Sequence, residues 1–327
     1  MGVRTRRIKI EPKQAEAVYH CISRTVNGEC LFDPVDKENF RRQLWIVADY
    51  CGVEVLTWTI LSNHFHVLVR IPQTEPLSDE ELLRRYQVLY PKPSKYSVLR
   101  LEVIKAYLQA NAPEGELWRR RQLAQMGDVS AFMKVLKQHF SVRFNHRHNR
   151  FGPVWSDRFT SILVEPKHRV IEAMAAYIDL NCVRAKICTD PKDYRFCGYA
   201  EALAGSKSAR LGLLSVMGET DWNKAQTAYR QILFTTGAGF RKKGQAITEE
   251  AVKQVLATGG KLPLAVVLRH RLSYLTSGAV LGGRSFVEEQ LVKYRQMSGR
   301  RKRTEPCPLP DLLGGEELLA LRGCRVR

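Results

Sequence analysis

A chain of 327 residues with 44% apolar side chains can bury a sizeable core in one large domain or two ordinary ones, which excludes global disorder. Its 52 Lys and Arg outnumber its 33 Asp and Glu, and the net charge of +19 directs the surface towards polyanions, nucleic acid first and anionic membrane second. No run approaches 18 apolar residues, the first 17 residues lack a signal-peptide pattern, and none of the eight cysteines forms a Cys-x-x-Cys pair, so no membrane span, no export and no zinc site are expected, and the location expected is the cytoplasm, with nucleoid association.

Residues 18–26 read as a first strand, and Asp33 with Pro34 opens a helix to about Tyr50. Residues 53–61 are rich in β-branched and aromatic side chains, as a strand is. After a turn at Ser62 and Asn63, residues 64–71 alternate: His64, His66, Leu68 and Arg70 share one face, while Phe65, Val67, Val69 and Ile71 share the other and belong on a core. Residues 78–127 read as helices broken by Pro91, Pro93 and Pro113. From Val129, apolar residues recur at 129, 132, 133, 136 and 140, a helical stripe. Residues 119–150 carry eight Lys or Arg against one acid, Asp128, so this stretch is expected to track a nucleic-acid backbone through Arg143, Arg147 and Arg150. Phe144, Phe151 and Trp155 are candidates to stack on bases, with Trp155 and Phe159 also suited to a core. A short strand closes residues 151–164, and a helix follows over 167–183. Beyond about residue 195, glycines punctuate short pieces. Residues 236–247 read as a basic, Gly-rich linker, with helices at about 249–258 and 286–297 and basic clusters at 241–243 and 300–303.

Two imidazoles at i and i+2 on a strand point the same way and can hold one divalent cation, although such a pair is often merely packed. In the helix over 167–183, Tyr177 and Asn181 are four residues apart and project from one side, flanking the apolar stripe, with Arg184 close to the same direction.

Taken together, these segments resemble the REP-associated tyrosine transposases, within the single-tyrosine HUH superfamily. Ser62-Asn63-His64-Phe65-His66-Val67-Leu68 is similar to the His-hydrophobic-His signature, and the run from Tyr177 through Asn181 to Arg184 and Ala185 is similar to the Tyr-Ile-x-x-Asn-Pro-Val-Arg-Ala helix. The segments Phe144 to Arg147, Gly152 to Phe159 and Asp193 to Tyr199 follow the family's order. The resemblance covers roughly residues 10–205; Cys182 replaces the usual proline and Ser62 stands where Met-Pro is usual.

The resemblance implies an α+β fold, a small antiparallel sheet with helices packed on it (the ferredoxin-like HUH fold), over residues 1–205, leaving 206–327 as a mostly helical extension with a basic tail. It implies Tyr177 as nucleophile, His64, His66 and Asn181 as ligands of Mg²⁺ or Mn²⁺, and Arg184 among the DNA contacts. The activity implied is cleavage and rejoining of single-stranded or hairpin DNA through a 5′-phosphotyrosine; a monomer is expected, with a dimer left open. The alternatives left open are a catalytically silent DNA-binding protein derived from a transposase, a replication initiator or relaxase, and a metal-dependent RNase or hydrolase.

Overall fold

The computed structural model describes residues 8–10, 15–73, 76–91, 100–238, 278–298, 305–308 and 318–322. The chain begins with β1 (Ala17–Arg24), α1 (Pro34–Cys51), β2 (Glu54–Ile60) and β3 (His64–Ile71). Asp33 caps α1 by accepting from the amide of Asp36, whose carboxylate accepts in return from the amide of Asp33, and Gly52 ends the helix at a left-handed φ of 63°. Three helices follow, α2 (Asp79–Leu89), α3 (Leu101–Gln109) and α4 (Pro113–Leu123), where a broken helical stretch is predicted. Then come α5 (Val129–Arg147), β4 (Thr160–Val164), α6 (His168–Asp179) and the single turn α7 (Asn181–Arg184).

The helix expected over 167–183 is thus two pieces that meet at Leu180. The remaining elements are α8 (Gly198–Leu203), α9 (Lys207–Met217), α10 (Trp222–Ala238), β5 (Gly278–Gly283), α11 (Arg284–Ser298), β6 (Cys307–Pro308) and β7 (Leu318–Arg322).

Seven strands form one sheet in the order β2-β3-β1-β4-β5-β7-β6. The first four are mutually antiparallel: β1 lies between β3 and β4, and β2 pairs outside β3. Helix α1 connects β1 to β2, and α5 lies in the connection from β3 to β4. The period-2 pattern of β3 then decides which side chain goes where. Phe65, Val67 and Val69 join one buried cluster with Phe132, Phe140 and Phe144 of α5 and Phe40 and Leu44 of α1. Leu68 joins a second cluster, on the opposite face, with Ile171, Met174 and Ile178 of α6. A register shift between Val55 and Thr57 turns Thr57 and Thr59 towards α6, where Thr57 Oγ1 donates to Asp179 (2.8 Å) and Thr59 Oγ1 donates to the carbonyl of Ile178 (2.9 Å).

The α+β expectation is met, with a seven-stranded sheet where a small one was expected. Among the described residues after 205, the helices α9, α10 and α11 make up the greater part, and β5, β6 and β7 extend the sheet, with β5 running parallel to β4. Residues on both sides of position 205 share a core, since Leu213, Tyr229, Leu233 and Leu281 pack with Val170 and Ile178. Helix α9 approaches β2 so closely that a Cβ on Gly212 would lie 2.5 Å from the carbonyl oxygen of Val55. The linker expected at 236–247 begins inside α10, and the rest of it, the helix at 249–258 and the basic clusters at 241–243 and 300–303 lie outside the described residues. The seven described cysteines are free thiols. No helix of the described residues is long and apolar enough to cross a membrane.

Candidate active site

The site lies where β1, β3 and the α6–α7 junction meet, on the α6 face of the sheet. His64 opens β3 and is half-buried; His66, two residues on, is 1% exposed. Their rings are 5.2 Å apart. The ring of Tyr177, from the last turn of α6, stands edge-on to His66 with centroids 6.1 Å apart. Tyr177 is buried except for 8% of its surface, and Asn181, at the start of α7, is buried to the same degree. Asn181 acts on His64, whose pKa it raises. Two segments more than a hundred residues apart in sequence therefore bring together the four residues expected to meet.

The tautomer of His64 follows from its neighbours. Asn63 Nδ2 donates to the carbonyl of Gly28 (3.1 Å), which leaves Asn63 Oδ1 as an acceptor. That oxygen lies 2.6 Å from His64 Nδ1, so Nδ1 carries the proton and Nε2 keeps its lone pair. Burial, helped by the charge of Arg24, pushes the His64 pKa down to about 4. His66 is pushed well below the usual imidazole range by burial first and then by His20, His64, Arg184 and Arg24. Both imidazoles are thus neutral at pH 7, the form that ligates a metal.

Two further residues belong to this site and were not singled out from sequence. His20 of β1 is fully buried, with its Nε2 2.8 Å from His66 Nδ1 and its ring 6.0 Å from that of Tyr177. Arg24, paired with His64 across β1 and β3, is exposed at the strand end, and its charge acts on His64, His66 and Tyr177 together. The signal was the alternation of β1, where His20, Ile22 and Arg24 share one side; what was missing was the knowledge that β1 lies next to β3.

Arg184 does not project freely to solvent. Its guanidinium lies 3.8 Å from the centroid of the Tyr177 ring and donates to the carbonyl of Tyr177, bracing the tyrosine from behind. Burial raises the pKa of Tyr177, while Arg184 and Arg24 pull it down. No hydrogen bond to the Tyr177 hydroxyl comes from the described residues.

The three arginines expected to contact DNA differ in their surroundings. Arg147 is tied at 2.7 Å to both Asp33 and Asp36, at the start of α1. Arg150 lies over the ring of Phe144, and Arg143 is exposed. Arg143 and Arg147 are on a helix that packs on the sheet face opposite the histidines, and Arg150 lies just beyond its end. Of the three aromatic stacking candidates, Phe144 and Trp155 are core residues; Phe151 is 98% exposed. Its loop is fixed at the base, where the amide of Ser156 donates to the carbonyl of Arg24 (3.0 Å) and Asn145 Nδ2 donates to that of Gly152 (2.9 Å). Asp33, Asp36 and His148 also bring ligand atoms within 4.8 Å of one another, a possible metal-binding cluster, although Arg147 already bridges both carboxylates.

No family model and no curated protein matches the chain. Among solved structures, the chain is similar to a REP-associated tyrosine transposase bound to a REP hairpin, with 14% identity, coverage of 62% of this chain and 87% of that one, and a TM-score of 0.38. A likeness that distant carries no argument for this chain, so the reading of the site rests on its own residues.

Proposed function

We propose that the protein cleaves and rejoins single-stranded DNA, hairpins included, through a covalent phosphodiester link to Tyr177. The observation that carries this reading is the convergence of Tyr177 and Asn181 on His64 and His66. A pure binding protein needs no such cluster. The β-α-β-β-α-β succession of β1, α1, β2, β3, α5 and β4 in one antiparallel sheet supports the same reading.

The residues fit a divalent ion. Two neutral imidazoles and an amide are a donor set of nitrogen and oxygen that suits Mn²⁺ and tolerates Mg²⁺. His64 and His66 would hold it through Nε2, with Asn181 supplying its amide oxygen. When bound, it would polarise the phosphate and stabilise the charge on the departing oxygen. The chain's own residues do the rest. Arg24 at the rim attracts the phosphate. Arg184 holds the Tyr177 ring, and its charge, with that of Arg24, opposes the burial that keeps the phenol protonated. The Tyr177 oxygen attacks phosphorus, its proton passes to solvent, and the 3′-oxygen leaves. A 5′-phosphotyrosine and a free 3′-OH result, and attack by another 3′-OH reverses the step, joining strands with no energy source.

Incubating the protein with a labelled DNA hairpin, the RNA of the same sequence and blunt duplex, with Mg²⁺ or EDTA, tests this reading. An SDS-resistant adduct is expected with the DNA hairpin and Mg²⁺ alone. Undiminished cleavage in EDTA would remove the metal role, and cleavage of RNA without an adduct would make the protein a hydrolase.

A further inference from the structure

His20 sits on β1 with none of its surface exposed, on the sheet face that also carries Val18, Leu68 and Ile162. A leucine would fill such a position without a polar atom to satisfy. The histidine instead places Nε2 2.8 Å from His66 Nδ1, with the two rings stacked at 5.0 Å and 20°. Two imidazole nitrogens at that distance share one proton. Where the proton lies decides what His66 can do with its other nitrogen.

The geometry points to His20 as the positioning residue for His66: His20 Nε2 accepts a hydrogen bond from His66 Nδ1–H, which leaves the lone pair of His66 Nε2 for a divalent cation. The inference rests on the reading of His66 as a metal ligand. Its support is the parallel with His64. There Asn63 Oδ1 can only accept, so Nδ1 is the donor and Nε2 is left open. Each ligand histidine then has its Nδ1 tied back into the protein by a different partner, one from the β2–β3 turn and one from β1. Such a partner fixes both the tautomer and the ring orientation of a ligand. Donation in the opposite sense would put the His66 proton on Nε2 and spoil it as a ligand. His20 also touches the edge of Tyr177, so one buried ring sets the position of the cation and of the nucleophile together.

Mn²⁺ binding to the full chain, measured by counting free Mn²⁺ by electron paramagnetic resonance, tests this in four proteins: wild type, His66→Ala, His20→Phe and His20→Gln. Wild type should bind one ion and His66→Ala should lose it. His20→Phe should bind roughly 10- to 100-fold more weakly. His20→Gln, which restores an acceptor, should recover most of that loss; a purely packing role would not distinguish the two variants in this way. Nitrogen-15 spectra of the wild-type histidine rings without metal provide a second measurement that needs no variant to fold, and should show His66 protonated at Nδ1. Wild type that binds no Mn²⁺ would bring down the metal reading itself. Normal binding by His20→Phe while His66→Ala has lost the ion, or a His66 ring protonated at Nε2, would overturn the role of His20 and leave the metal reading standing.

Discussion

The two faces of the sheet are made from alternate residues of the same strands, and they are built for opposite ends. On the α5 face, Phe65 meets Phe40 with ring centroids 4.6 Å apart and Trp155 at 5.3 Å, and Phe140 continues the cluster, a dense aromatic core that holds the sheet. On the α6 face, at the same end of the sheet, the next residues along β3 are imidazoles, and around them lie Tyr177, Asn181 and His20 where apolar side chains would pack more favourably. Polar groups are buried there at a cost in stability, which is what a preorganised site looks like. The contrast also separates two kinds of arginine. Arg184 braces the tyrosine; Arg147 braces the aromatic face by neutralising Asp36, which is 1% exposed.

Neighbouring substitutions on β3 should break this contrast most sharply. His66→Ala should lower single-turnover DNA cleavage roughly a thousandfold, since a cation contributes several kcal/mol to such a step, while most DNA binding survives. Phe65→Ala, one residue away, should instead cost about 3–5 kcal/mol in denaturant unfolding. Its folded fraction should still form the covalent adduct. If both variants lost stability and cleavage in equal proportion, the faces would not be functionally distinct.

Phe151 gives a smaller effect. A phenylalanine fully in solvent on an anchored loop, at the sheet end that carries Arg24 and His64, is placed to stack on an unpaired base. Phe151→Ala should weaken single-strand binding roughly 5- to 150-fold, with no fall in melting temperature. Unchanged affinity would leave it an ordinary exposed residue. The smallest effects belong to the arginines in and just after α5. Replacing Arg143 and Arg150 together should flatten the salt dependence of single-strand binding by about 1.4 in slope, about 0.7 per contact. Arg147→Ala should leave the slope alone and lower the melting temperature, because its guanidinium is engaged with Asp33 and Asp36. A flattened slope in Arg147→Ala would return it to the DNA surface.

The strands and helices that frame the site were legible because their signals are local. The alternation of residues 64–71 gave β3 with both its faces, and the stripe at 129, 132, 133, 136 and 140 gave the buried side of α5. His64, His66, Tyr177 and Asn181 were legible because they stand in ordered motifs. His20 and Arg24 were not, since their part depends on which strand pairs with which, and pairing is a long-range property that no window of sequence contains. The same blindness hid the ion pairs of Arg147 with Asp33 and Asp36. A run of like charge says that cations lie close in sequence, but it cannot show that acids from a distant helix start will meet one of them. The three added strands after residue 205 were missed for a related reason: glycines at Gly282 and Gly283 weaken the strand pattern of β5, which is held by its neighbours β4 and β7.

The most direct test of the central claim is peptide mapping of the covalent adduct formed by the wild-type protein with a DNA hairpin, repeated on Tyr177→Phe. The nucleotide should be found on the peptide that contains Tyr177, linked through a 5′-phosphate. The phenylalanine variant, which loses one oxygen and keeps the ring against Arg184 and the histidines, should fold, bind the hairpin and form no adduct. An adduct on another of the twelve tyrosines, or one that persists in Tyr177→Phe, would contradict the assignment of the nucleophile and with it the reading of the site.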